Sequence, residues 1–301
     1  VYTQDVIKKI STGNFTDNMK DIADYDWVIE VVVERLDIKQ SVFTEVEKYR
    51  RPGTLITSNT SGIPIHMMTE GRSNDFKKHF CGTHFFNPPR YLRLLEIIPT
   101  PHTDPAVVDF LIHYGDLTLG KTTVLCKDTS AFIANRVGVF GMMAIMNAME
   151  KLQLSVDEID ALTGPVVGRP KSATFRTADV VGIDTLVKVA KGVADNCPTD
   201  EAKEVFAIPA WLNKMVENNW LGDKSGQGFY KKMPATKGGK KDIQVLNLST
   251  FEYEPRKKPA FKTLEAARAI ENLQDRMKLM MQGTDKAGEF YRDMFYDLFK
   301  Y

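Results

Sequence analysis

Along the first 130 positions, short apolar runs of strand length are separated by stretches with helical spacing. Trp27-Val28-Ile29-Glu30-Val31-Val32-Val33 is almost continuously apolar, which predicts a strand buried on both faces of a parallel sheet. From Leu36 to Tyr49, Leu36, Val42, Phe43 and Val46 fall on one helical face among charged residues. Pro52-Gly53 ends that helix, and Thr54-Leu55-Ile56-Thr57 predicts the next strand. Further strands are expected at Leu94–Ile98 and Lys121–Leu125, with a capped, proline-started helix opening at Thr103-Asp104-Pro105. Strands separated by helices of this length imply βαβ units in an open α/β sheet.

Beyond about residue 130 the rhythm becomes helical. Phe132 to Leu152 predicts one long helix, and Ser155-Val156-Asp157-Glu158 has the form of a capping box opening the next. Helical patterns continue through Asp184–Asp195 and Ala207–Asn218, broken by Gly164-Pro165 and Gly168-Arg169-Pro170, so this region reads as all-helical. Residues 233–261 read as a connector, with a Lys/Gly-rich stretch from Lys237 to Lys241 and a short strand-like Val245–Leu248. The lysine cluster is read as a solvated loop, with phosphate binding as the alternative. Helices are expected again at Thr263–Gln282 and Glu289–Tyr301. In the latter, Phe290, Tyr291, Met294, Phe295, Leu298 and Phe299 form an apolar face that needs a partner. The expected division is 1–129, 130–232, a connector at 233–261, and the start of a further helical domain at 262–301.

Composition narrows the function classes. With 301 residues, 43% hydrophobic and 26% charged, the chain has material for about two domains. Its 40 Lys and Arg against 39 Asp and Glu leave no basic excess for a phosphate backbone, which argues against nucleic acid as a partner. No apolar run approaches the roughly 18 residues of a membrane span, and Val1–Asp5 lacks the features of a signal peptide. Three scattered cysteines, Cys81, Cys126 and Cys197, argue for a reducing, cytoplasmic setting and against disulfides or a metal site.

A nucleotide-binding α/β domain usually carries GxGxxG between its first strand and helix, so that the backbone can approach a pyrophosphate. That motif is absent; Gly226-Gln227-Gly228 precedes no helix and reads as a turn. Candidate chemistry lies instead in three blocks. Ser58-Asn59-Thr60-Ser61 follows a strand directly, where open α/β sheets place ligand groups. His84 stands beside Phe85, Phe86 and an Asn87-Pro88 turn signal. Glu96 is a single carboxylate inside an apolar strand and needs a partner there. His84 meets that need: the carboxylate would fix the imidazole tautomer and leave the other nitrogen to take a proton. His66, His79, His102 and His113 are read as packed or surface histidines.

These blocks occur in a specific order: Asp26–Glu30, Ser58-Asn59-Thr60-Ser61, Gly82 through Pro88, Glu96, and Asp128 through Arg136. That order resembles the signature run of the NAD-dependent (S)-3-hydroxyacyl-CoA dehydrogenases. The resemblance covers about residues 10–230 and closes with Gly226-Gln227-Gly228-Phe229-Tyr230. In style it is closest to the long bacterial form joined to an enoyl-CoA hydratase, which has runs similar to Gly168–Arg176 and Thr263–Arg268. The fold implied is a partial Rossmann-type parallel sheet domain followed by an all-helical C-terminal domain.

The activity implied is oxidation of (S)-3-hydroxyacyl-CoA by NAD in fatty-acid β-oxidation. The resemblance assigns His84 as general base, Glu96 as its orienting partner, and Ser61 and Asn135 as hydrogen-bond partners of the reacting oxygen. Glu34, Lys39, Asn59 and Asn87 match cofactor contacts, although Glu34 and Lys39 read equally as a surface ion pair worth under about 1 kcal/mol. A homodimer and a covalently joined hydratase domain are also implied. The chain departs from the family pattern at Ser130-Ala131, where Pro-Gly is common, at Val31, often alanine, and in the missing Gly-rich unit. That last departure leads to the expectation of a fragment truncated at both ends. The competing readings are a non-catalytic acyl-CoA-binding or structural protein on this scaffold, and a related hydroxy-acid dehydrogenase.

Overall fold

The computed structural model describes residues 4–233 and 242–301, so the Lys237–Lys241 cluster lies outside the described residues. The chain divides into two compact units, Val1–Ile133 and Ala134–Tyr301. The first contains α1 (Gln4–Ile7), β1 (Trp27–Glu30), α2 (Leu36–Tyr49), β2 (Leu55–Ser58), α3 (Asn74–Lys78), β3 (Phe80–Phe85), β4 (Leu94–Pro99), α4 (Pro105–His113) and β5 (Thr122–Leu125). Its five strands lie in the order β1-β2-β3-β4-β5. The first three are parallel, β4 runs antiparallel to β3, and β5 is parallel to β4. The sheet is therefore parallel-dominated and Rossmann-like, as expected, with one antiparallel pairing between β3 and β4.

Side chains alternate across this sheet, and each face has its own core. Ile56, Phe80 and Ile98 point to one side, packing with Phe43 and Val46 of α2 and Phe76 of α3. Leu55, Cys81 and Ile97 point to the other, against Leu111 of α4. The rings of Phe43, Phe76 and Phe80 meet at centroid separations of 5.1 to 5.7 Å, the spacing of attractive edge and offset contacts. Asp104 caps α4 through the Ala106 N–H with Pro105 at the first position, as the sequence predicts.

Two expectations in this unit need correction. The apolar run at Trp27–Val33 forms a strand only as far as Glu30, and β1 is an edge strand with Val31 70% and Val33 62% exposed. The run stops pairing because the Glu30 carboxylate accepts the Val32 N–H at 2.6 Å and turns the backbone away. Conversely β3 was hidden from the pattern, since Gly82, Thr83 and His84 interrupt its apolar character. Residues 80–84 are nonetheless buried, and a Cβ at Gly82 would come within 2.7 Å of Ile65.

The second unit contains α5 (Ala134–Leu152), α6 (Val156–Leu162), α7 (Phe175–Val181), α8 (Ile183–Asn196), α9 (Ala210–Glu217), β6 (Tyr230–Lys232), β7 (Ile243–Asn247), β8 (Glu252–Pro255), α10 (Lys262–Arg268), α11 (Leu273–Gln282) and α12 (Lys286–Lys300). The Ser155–Glu158 capping box forms with both reciprocal bonds. The long helix begins at Ala134 rather than Phe132, because Ala131 and Phe132 adopt left-handed φ of 62° and 51°. At Ala131 this is a conformation that glycine takes without a Cβ penalty. The region is predominantly helical, with one departure: β6, β7 and β8 form a three-stranded antiparallel sheet, with β7 and β8 inside the expected connector. The expected helix at Thr263–Gln282 is two helices, broken where the Asn272 side chain caps α11. The apolar face of α12 finds its partner within the unit: Phe290, Tyr291, Met294 and Phe295 are buried where α12 packs along α5, leaving Phe299 exposed. Among the described residues no helix is long and apolar enough to cross a membrane.

Asp179 explains the closing Gly226–Tyr230 turn. Its carboxylate accepts the Phe229 and Tyr230 N–H groups at 2.8 and 2.9 Å, and a Cβ at Gly228 would sit 2.1 Å from its Oδ1. Burial pushes this carboxyl up to about 6, against the lowering pull of the two amides and Arg176. The folded state therefore holds a proton that the unfolded chain, with an ordinary value of 3.8, releases earlier. This favours folding at low pH and is lost as pH rises through about 6. Asp179→Asn, which cannot ionise, is expected to gain stability relative to the parent between pH 4 and pH 7.5 in urea melts. A stability difference that is the same at both pH values would contradict this.

Candidate functional site

The centre of the candidate site is a cross-strand pair. In the antiparallel register of β3 and β4, His84 stands directly opposite Glu96. Both side chains are buried, and His84 Nδ1 lies 2.7 Å from Glu96 Oε2. The other carboxylate oxygen, Oε1, accepts the Ile133 N–H at 3.1 Å, so Glu96 is held from two sides. Phe86 and Phe132 pack around the imidazole, with ring centroids 4.3 and 5.7 Å away. This enclosure fixes the ring plane. Nε2 has no hydrogen-bond partner among the described residues, which leaves it to meet an incoming group. With the Nδ1 proton directed at a carboxylate, Nε2 is the basic atom and an imidazolium formed there is stabilised.

A second network lies beyond the carboxyl ends of β1 and β2. The Glu34 Oε1 oxygen accepts the Thr60 hydroxyl at 2.6 Å and the Ser61 and Gly62 N–H groups at 3.0 Å each. Burial acts to raise its pKa, but the Thr60 hydroxyl, the Lys39 ammonium and those two amides outweigh it and hold it below the ordinary value. Glu34 thus shapes the turn that presents Ser61, which is exposed to solvent. Asn59 Oδ1 accepts the Phe85 N–H at 2.9 Å and ties the end of β2 to the end of β3 beside His84. Asn87 follows in the exposed loop after β3, at a cis Asn87–Pro88 peptide.

Lys39 departs from the surface-pair reading of its sequence. It is 1% exposed, and its ammonium lies 3.0 Å from Glu30, 3.3 Å from Glu34 and 3.3 Å from the Val32 carbonyl. It is therefore no surface pair, and its donors are directed inward at two carboxylates. Glu30 is the residue that pattern reading passed over: buried, it also accepts the Ser58 hydroxyl at 2.5 Å. The available signal was a carboxylate and an ammonium nine residues apart, flanking a strand end and the first turn of a helix. Cys126 is a buried free thiol beside Glu96. Burial, and then the neighbouring Glu96 carboxylate, push its thiol up to about 12, so it is an inert neighbour of the pair. Asp128 accepts the Ile65 and His66 N–H groups and His66 Nδ1, fixing the segment that follows Ser61.

The structure thus gathers Glu34, Lys39, Asn59, Ser61, His84, Asn87 and Glu96 in the first unit, around the ends of β1, β2 and β3. Asn135 lies in the first turn of α5, in the second unit.

Both units resemble domains of known proteins. Residues 1–129 match the 3-hydroxyacyl-CoA dehydrogenase NAD binding domain, and residues 132–232 match the 3-hydroxyacyl-CoA dehydrogenase C-terminal domain. A probable 3-hydroxyacyl-CoA dehydrogenase of Bacillus subtilis is 48% identical over 279 residues, 93% of this chain and 34% of that protein. A putative fatty acid oxidation complex trifunctional enzyme of Rickettsia felis is 33% identical over 250 residues, 83% of this chain and 34% of its own length. The chain spans about a third of the length of these two curated relatives. The crystal structure of 3-hydroxybutyryl-CoA dehydrogenase from Escherichia coli K12 superposes with a TM-score of 0.65 at 29% identity, covering 72% of this chain and 46% of that one. Two consecutive family domains, matched end to end over a Rossmann-like sheet and a mainly helical unit, place the chain in the 3-hydroxyacyl-CoA dehydrogenase family.

Proposed function

We propose that this protein oxidises (S)-3-hydroxyacyl-CoA to 3-oxoacyl-CoA with NAD as hydride acceptor, as a step of fatty-acid β-oxidation. The observation that carries this reading is the buried His84–Glu96 pair at 2.7 Å, with an unpartnered Nε2, in a chain of this family. Nε2 takes the proton of the 3-hydroxyl group while Glu96 balances the imidazolium charge. Ser61 and Asn135 hydrogen-bond the reacting oxygen and hold it in line; such positioning supplies a large part of the rate in reactions of this kind.

The residues present fit the nicotinamide-ribose end of the cofactor. Val31 and Val33 are exposed apolar side chains just after β1, and Glu34, Asn59 and Asn87 offer polar groups after β1, β2 and β3. NAD, when bound, supplies the two-electron hydride acceptor. Lys39 acts through Glu34 and Glu30, holding their carboxylates in place. No Gly-rich turn between a strand and a helix is present in these 301 residues to receive the pyrophosphate.

In the proposed division of labour, residues 1–129 hold the cofactor and residues 130–232 the acyl-CoA. The Rickettsia relative is named a trifunctional enzyme, which supports further activities joined covalently to this one; a hydratase domain and a homodimer are proposed with it. A reducing, cytoplasmic compartment fits three cysteines none of which is in a disulfide.

The test is oxidation of NADH by acetoacetyl-CoA, followed at 340 nm in the full-length protein. Turnover with the CoA thioester and none with free 3-oxo acids is expected; a preference for free acids would overturn the substrate class. The 301-residue chain alone is expected to bind NADH weakly in a fluorescence titration, for want of the pyrophosphate turn.

A further inference from the structure

The second unit holds a cleft of about 720 Å³ whose lining differs in charge from the chain as a whole. Its walls carry seven Lys and Arg residues against three Asp, in a protein whose net charge is +1. The carboxylates are already engaged. Asp160 accepts the Thr174, Phe175 and Arg176 N–H groups and the Tyr230 hydroxyl. Asp223 is held by Arg176 through two parallel bonds of 2.7 Å, and Asp157 by Arg256 and the Lys257 N–H. Lys171, Lys232, Lys258 and Arg268 are left over: among the described residues none of the four has an ion-pair or hydrogen-bond partner. They come from four separate segments, the loop before α7, the end of β6, the loop after β8 and the end of α10, and converge on one cavity.

Lys232 lies near enough to Asp223 to help lower that carboxyl, but seven cations against three carboxylates leave the cleft an excess of positive charge, which a multivalent anion relieves. The floor is preorganised. Tyr230, fixed by its bond to Asp160, carries the Arg256 guanidinium 5.1 Å over its ring. A cleft of this volume takes a small molecule rather than a flat polymer surface. We propose that it binds a phosphate-bearing small molecule, either a simple polyphosphate or the phosphate end of a nucleotide, through Lys171, Lys232, Lys258 and Arg268. This site is separate from the His84–Glu96 pair and does not depend on the dehydrogenase reading.

Isothermal titration of the protein with inorganic pyrophosphate and, separately, with ADP tests it. Saturable binding of pyrophosphate is expected, weakening as salt is raised from 50 to 200 mM. Lys171→Glu/Arg268→Glu is expected to weaken it by about tenfold or more, since two of four attractive charges become repulsive. Lys48→Glu, on the first unit, should leave it unchanged. ADP binding that exceeds pyrophosphate binding and falls with it in the double variant assigns the site to a nucleotide; equal affinities assign it to the phosphates alone, and both support the site. Absence of saturable pyrophosphate binding, or binding that survives the double substitution, would overturn it. If the double variant does not fold, Lys258→Glu carries the same test with an exposed side chain.

Discussion

Replacing His84 with Gln is expected to lower turnover of acetoacetyl-CoA by about a thousandfold, within the range that a positioned general base contributes. The reason lies in what glutamine keeps and loses. Its amide can still donate to Glu96, so the cross-strand contact survives and the strands stay paired. It has no titratable group in place of Nε2, so nothing hands a proton to the 3-oxo oxygen of acetoacetyl-CoA as hydride arrives, or takes the 3-hydroxyl proton in the oxidative direction. The loss should therefore fall on kcat, with the KM for NADH and the thermal midpoint close to those of the parent. Glu96→Gln should cost less, because the histidine remains, but it should shift the pH profile of kcat/KM as the imidazolium loses its counter-charge. Near-normal turnover in His84→Gln would mean that another group takes the proton.

The largest expected effect on stability is at Lys39. Lys39→Ala is expected to cost about 3–5 kcal/mol in urea unfolding, the usual consequence of leaving a buried charge without its partner. Glu30 is enclosed in the protein with the ammonium 3.0 Å away, and removing that ammonium strands its carboxylate beside Glu34. Glu30→Gln/Lys39→Met should recover much of the loss, since a neutral pair of similar volume removes both desolvation costs. The double variant separates structure from function: Glu34 would remain to hold the turn at Thr60–Gly62 while the buried ion pair is gone. A cost below about 1 kcal/mol for Lys39→Ala would return the pair to the class of surface salt bridges.

Much of the local structure was legible without coordinates, wherever short-range chemistry settles it. The helix from Leu36 to Tyr49 has the expected bounds because its apolar spacing and the Pro52-Gly53 stop act within a few residues. The Ser155–Glu158 box and the Asp104-Pro105 start are likewise complete within one turn. What escaped was pairing. An apolar run such as Trp27–Val33 reads the same whether it lies mid-sheet or at an edge, and only its pairing with β2 alone shows that β1 lies at an edge. Phe80–Phe85 looks mixed because Gly82, Thr83 and His84 interrupt its apolar positions although all three are buried. Val245–Leu248 was seen as strand-like, but its two partners, β6 and β8, lie at either side of a segment that had the composition of a connector.

The candidate site divides along the same line. The sequence by itself determined which groups are available: a histidine, a strand carboxylate, a polar turn after a strand, and the order that marks the family. Tertiary structure decided which of them meet. The antiparallel register of β3 and β4, which no local pattern encodes, sets His84 opposite Glu96 and makes one a base and the other its counter-ion. Packing of α2 against β1 takes Lys39 from an apparent surface pair into the interior, between Glu30 and Glu34. Residue types are a property of the chain, but burial and pairing depend on contacts between segments far apart in it. The reactivity of an ionisable group follows from burial and pairing.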